Sequence, residues 1–168
     1  MKSLLKKFAD VLTKTRAQRD QERIERLRSI FTSIPEGREL IELAEKSGCK
    51  IAFNHSLSDT EAGHLHFDDR AVYLNPKADD TYLIETLAHA LRHLWQLCVI
   101  DRTRTGIYAI PYVFIYKRVI EGDAVIFAAN FMEKLASNSQ EKLDLPKTFS
   151  DFQKSLLADK YDEQTLVM

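Results

Sequence analysis

Thr86 to Leu97 reads "TLAHALRHLWQL", an apolar run at helical spacing that carries histidines at 89 and 93. Each helical residue advances about 100°, so the two imidazoles fall about 40° apart on one face, one turn above the other. A single metal ion can take both. Packed, hydrogen-bonded core histidines also occur at this spacing, so the pair alone leaves metal binding open. Four residues earlier, Glu85 lies on the other side of His89, within reach of an outer hydrogen bond to it.

Working outward, the helix that carries the pair begins near Thr81, with Asp79 or Asp80 as its cap, and runs to about Ile100. Before it the period changes. "CKIAFNHSL", "GHLHF" and "RAVYLNP" are short, rich in β-branched and aromatic residues, and separated by turn chemistry at "SDTEAG" and "DD". They predict three strands in a small antiparallel meander. Further back, Glu36 to Lys46 predicts a helix stopped at Ser47-Gly48. From Ser3 to Ile34, apolar residues at three- and four-residue spacing predict one long helix or two, around a polar middle "TRAQRDQER". Its Lys and Arg excess fits an arm for a membrane surface or a partner, but a solvated helix face explains it as well.

After the histidine helix, "DRTRTG" reads as a loop. "YVFIYKRVIEGDAVIFAANFMEKLA", opened by Pro111, then predicts a helix apolar on most of its circumference and so mostly buried. A last amphipathic helix is expected from Phe149 to Tyr161. Glu121 and Asp123 stand out in the apolar helix, because a buried carboxylate is costly unless paired or bound to a cation. Arg118, one turn before Glu121, could supply a plain salt bridge. Alternatively Glu121 joins His89 and His93 as a third ligand, leaving a fourth zinc position open, as hydrolytic sites need. Gly122 would then permit close approach of the two helices.

The 168 residues are the size of one domain, and 45% hydrophobic with 29% charged residues is a globular composition. A net charge of −1 argues against nucleic acid as the main partner. Cys49 and Cys98 form no CxxC pair, which disfavours a disulfide scaffold or a cysteine zinc finger and suits a reducing cytosol. The expected location is cytoplasmic. Export by a route without a cleavable signal stays compatible, since "MKSLLKKFADVLTK" is not a secretory signal and no apolar run is long enough to span a membrane.

"TLAHALRHLWQL", followed about thirty residues later by "EGDA", resembles the gluzincin type of zincin metallopeptidase, in which HExxH on one helix is completed by a glutamate on the next. It is closer still to an uncharacterised set of small bacterial metallopeptidases whose pattern runs from a strand ending in "LNP" to "TLAHExRHxxQ" and then "EADA". Tyr73 to Pro76, His89, Arg92, His93, Gln96, Glu121, Asp123 and Ala124 match that pattern. The match covers about residues 50 to 135. The resemblance implies zinc-dependent hydrolysis of a peptide or protein substrate, with Zn2+ held by His89, His93 and Glu121.

The departure is Ala90. HExxH places a glutamate there, the general base that takes a proton from the attacking water and passes it to the leaving amine. Its loss costs on the order of 10²–10⁴ in rate, or roughly 3–5 kcal/mol of transition-state stabilisation. The chain is then a natural pseudoenzyme, an enzyme inactivated by substitution, or an enzyme with a different base. Glu85 is badly placed for that role, and Asp123 suits orienting a histidine better. A non-catalytic pseudopeptidase or adaptor is the rival from another class. A third reading has no metal, only a buried polar network.

His64 and His66 alternate on one strand, so they could line a cleft, hold a second metal or sit on an exposed face. His55 reads as a surface residue. Tyr108, Tyr112 and Tyr116 could donate to an oxyanion, although aromatic packing suits their helical spacing better. Trp95 and Phe127 read as core. The expected fold is an α+β, zincin-like single domain over 1–168. It divides into an N-terminal helical region (1–48), a zincin-like core (49–138) and a C-terminal helix and tail (139–168), with the oligomeric state open.

Overall fold

The computed structural model describes residues 14–99 and 110–138, and of the side chains at 110–115 nothing is described. The expectations for 3–13, the 101–106 loop, Tyr108, the Tyr112 side chain and the 149–161 helix lie outside these residues. Four helices and a three-stranded sheet are described: α1 (Arg16–Phe31), α2 (Pro35–Lys46), β1 (Lys50–Phe53), β2 (Gly63–His66), β3 (Ala71–Leu74), α3 (Asp80–Val99) and α4 (Ile110–Asn138). The fold is α+β.

Local chemistry sets the helix ends. Thr15 accepts from the Gln18 amide while the Gln18 side chain accepts from the Thr15 N–H, a capping box that starts α1 inside the polar stretch "TRAQRDQER". Pro35 occupies the first turn of α2, and Gly48 takes the left-handed φ of 71° that ends it. Of the two candidate caps for α3, Asp79 is the one used, its Oδ1 accepting from the Tyr82 N–H at 2.8 Å. Asp80 instead turns back to α1. Its carboxylate pairs with Arg23 and Arg26, while Arg23 also donates to the carbonyls of Pro76 and Ala78.

The sheet is mixed, in the order β1-β3-β2, and not the antiparallel meander that the sequence predicts. β2 pairs antiparallel with β3, His64 opposite Tyr73, whereas β1 pairs parallel with β3, Phe53 opposite Leu74. The strands do alternate in direction along the chain. What differs is position, because β3 and not β2 takes the centre. The reason is composition: Ala71, Val72 and Leu74 are fully buried, while β2 carries Gly63, His64 and His66 and tolerates an edge.

α3 runs through the middle of the molecule, burying Leu83, Ile84, Leu87, Ala88, Leu91 and Leu94 against the sheet and the other helices. α4 packs on α3 along a stripe of Ala124, Ala128, Phe131, Met132 and Leu135, with Phe131 stacked on Phe31 at 4.4 Å. Over its described side chains, 116–138, the expectation that α4 is mostly buried does not hold. Val119 and Ile126 are exposed, because one stripe at helical period is all that a single neighbouring layer can cover. Gly122 does not mark a close approach either, since a Cβ built there meets nothing within 4 Å.

Candidate metal centre

His89 and His93 sit one turn apart on α3, and α4 crosses so that Glu121 faces both. The Nε2 atoms of the two imidazoles are 3.0 Å apart, Glu121 Oε1 is 3.1 Å from His89 Nε2, and Oε2 is 3.1 Å from His93 Nε2. Among the described residues this is the one group of three such side chains with ligand atoms all within 4.8 Å of one another. Glu121 is nevertheless 59% exposed, so its place here does not follow from the burial argument that first singled it out. Arg118, the alternative partner, is exposed and makes no ion pair with Glu121.

A hydrogen-bond chain behind His93 fixes which nitrogen is free. Gln96, 2% exposed, donates its amide to the Ile120 carbonyl and to Asp123 Oδ2, which turns its Oε1 toward His93 Nδ1 at 2.8 Å. An amide oxygen only accepts, so Nδ1 carries the proton and Nε2 keeps its lone pair. Asp123 therefore acts on His93 through Gln96. Arg92 completes the chain, donating to both Asp123 oxygens at 2.7 and 3.0 Å while its guanidinium lies over Trp95 and Phe127. The Arg92 hydrogen bond, more than the opposing burial, holds the Asp123 carboxyl below its ordinary range. For His89, burial and then His93 push the pKa down against Glu121, favouring the neutral ring that a metal needs.

The group opens onto a cleft of about 770 Å³ between β2, α3 and α4, with His64, Leu65, Glu85 and Ala90 in its lining. Ala90 is 2% exposed and presents only a methyl group to this space. Glu85 makes no bond to His89. Its Oε2 is buried without a hydrogen-bond partner among the described residues, and burial, then Asp79, raises its pKa.

The chain belongs to the Putative metallopeptidase family (DUF6782), whose model matches residues 4–142. No curated protein and no solved structure matches it. Membership in a metallopeptidase family implies a metal ion, and the donor set of two imidazole nitrogens and a carboxylate suits one.

Of the other expected residues, His64 reaches the cleft with its Nδ1 held by Glu61 at 2.5 Å. His66 shares a face of the sheet with His64, Tyr73 and Asp69, and the His64 and His66 rings are 6.3 Å apart. His55 pairs with Asp20 at 2.7 Å. No described helix is long and apolar enough to cross a membrane. Gln96 and Arg92, which the sequence offered only as matches to a pattern, have physical roles that spacing hinted at: Gln96 sits three residues after His93 on its own helix.

Proposed function

We propose that this family member is a zincin-like, gluzincin-type chain that holds Zn2+ through His89, His93 and Glu121 and takes an extended peptide in the adjoining cleft, with its general-base position silenced by Ala90. The observation that carries the reading is the convergence of two Nε2 atoms and a carboxylate, all within 4.8 Å, on the wall of an open cleft. A zinc ion there would supply Lewis acidity toward a scissile carbonyl and lower the pKa of water. The chain's residues supply the rest. Gln96 holds the His93 tautomer, Asp123 and Arg92 hold Gln96, and Glu121 adds the negative charge that two neutral imidazoles lack. β2 pairs with β3 on one side, and its residues line the cleft, so its other edge offers backbone groups to an extended peptide.

No described group takes over the missing proton transfer. Glu121 is engaged by both histidines, and Glu85 lies a full turn before His89. The chain as written therefore binds metal and peptide with slow turnover or none. The same alanine supports the second reading, a pseudopeptidase or adaptor that binds a peptide or protein partner.

Elemental analysis of protein purified without a metal-affinity tag tests the site. The expected result is near one zinc per chain, lost in His89→Ala. Absence of metal after zinc loading and desalting would refute the ligand set. Ala90→Glu then separates the two readings: gain of peptidase activity marks an enzyme framework, and none across varied peptides marks a binding protein.

A further inference from the structure

Among the described residues three carboxylates line the cleft, and two have work. Glu61 holds His64 Nδ1, and Glu121 faces the histidine pair. Glu85 has none. Along α3 the cleft wall is built from Tyr82, Glu85, Thr86, His89, Ala90 and His93, the spacing of one helix face, so Glu85 stands one turn from the candidate metal centre on the same wall. Among the described residues Lys117 is the one Lys or Arg in the lining; it is exposed and forms no ion pair with Glu85.

Glu85 Oε2 is closed to solvent and without a donor among the described residues, which costs free energy, so a partner arriving through the cleft must meet the carboxyl where the half-buried Glu85 borders that space. The missing partner is a donor, since an ionised carboxylate only accepts. A cation is the donor that best offsets burial of the charge. Tyr82 and Phe67, both lining the cleft and both exposed, offer aromatic surface to the methylene stem or charged head of such a group.

We propose that Glu85 is the subsite that receives a cationic group of the bound peptide, an ammonium or guanidinium. The inference rests on the peptidase-type reading and names its substrate class. The raised pKa of the empty carboxyl agrees with it: without a partner the charge is disfavoured, and an arriving cation restores it.

The test uses the full chain with Ala90 in place, which lets peptides bind without being cut. Fluorescein-labelled peptides carrying lysine, arginine or norleucine at each successive position, with free and acetylated N-termini, are titrated against zinc-loaded protein by anisotropy. At one position lysine or arginine is expected to bind about tenfold or more tighter than norleucine, an effect the size of one charge-assisted hydrogen bond. Glu85→Gln is expected to erase that preference while changing norleucine affinity by less than about twofold. A gap that follows the free N-terminus instead identifies the cation as the terminal amine and supports the subsite equally. Peptides that bind with equal affinity across the lysine, norleucine and acetylated series overturn the subsite and leave the peptide-binding reading standing. No binding by any peptide overturns both.

Discussion

At position 90 a single methyl group faces the cleft where the resembled pattern has a carboxylate. Ala90 is 2% exposed and belongs to the core, yet it also borders the cleft beside both histidines, so a glutamate there fits by turning its carboxylate out of the core into the cleft. Ala90→Glu is expected to raise peptide hydrolysis by about 10²–10⁴ over the chain as written, read with a quenched-fluorescence peptide mixture at saturating zinc. Equal rates for the two proteins would mean that the framework lacks more than its base. Gln96 carries a separate prediction. Gln96→Leu keeps the volume and removes the acceptor that holds His93 Nδ1–H, so zinc affinity should fall about 10–100-fold in competition with a chromogenic chelator. An unchanged affinity would show that the tautomer needs no help. The i,i+4 spacing put the two histidines on one face while leaving metal binding open, and the role of Gln96 was not legible, since its amide is defined by Ile120 and Asp123 on a helix 24 to 27 residues away. Glu121 was legible for the wrong reason: the sequence marked it as buried, and it is exposed.

At the scale of elements, the two helical glycines make opposite predictions. A Cβ on Gly37 in the first turn of α2 would stand 1.8 Å from the Phe31 carbonyl oxygen at the end of α1, so the two helices pack through bare backbone. Gly37→Ala should destabilise by at least about 2 kcal/mol in denaturant unfolding, because the atom in the way is backbone and cannot rotate aside. Gly122 in α4 has open space around it. Gly122→Ala should stabilise by roughly 0.5–1 kcal/mol, the helix-propensity difference, with zinc stoichiometry unchanged. If Gly122→Ala instead cost stability or metal, α4 would approach a neighbour there after all. Two helix ends could be read from sequence because Asp79 and Gly48 act locally, whereas the Thr15 cap lay inside a stretch read only as a polar middle. Sheet order could not, because alternation along a strand tells which residues face the core and not which strand lies in the middle. β3 wins that place through Val72 and Leu74, whose burial on the central strand needs helix and sheet to be assembled first.

Across the whole molecule, an ionic tie joins the N-terminal helices to the site-bearing part beside the shared apolar core. Arg23 on α1 donates to Asp80 Oδ1 at 2.8 Å and to the Pro76 and Ala78 carbonyls at 2.5 and 2.6 Å, while Arg26 takes Asp80 Oδ2 at 2.6 Å. This latch fixes the loop that enters α3, and through α3 the depth of His89 and His93 beside β2. Burial pushes the Asp80 carboxyl up, but the hydrogen bonds from Arg23 and Arg26 together outweigh it and hold the folded pKa below the ordinary value. The sign follows. A carboxyl whose folded pKa is depressed contributes its full stabilisation above the unfolded value near 3.9 and loses it as pH falls through the folded value. Asp80→Asn should therefore cost about 1–3 kcal/mol at pH 7, the range for breaking one partner of a half-buried, hydrogen-bonded pair. The gap between the two proteins should narrow from about pH 4 downward, where the native carboxylate is itself being protonated. Urea unfolding of both proteins at steps from pH 7 to pH 3 reads this directly. A gap that stays constant over the whole range would mean that the carboxyl's charge contributes nothing, and that the cost of Asp80→Asn comes from the second acceptor oxygen that an amide lacks.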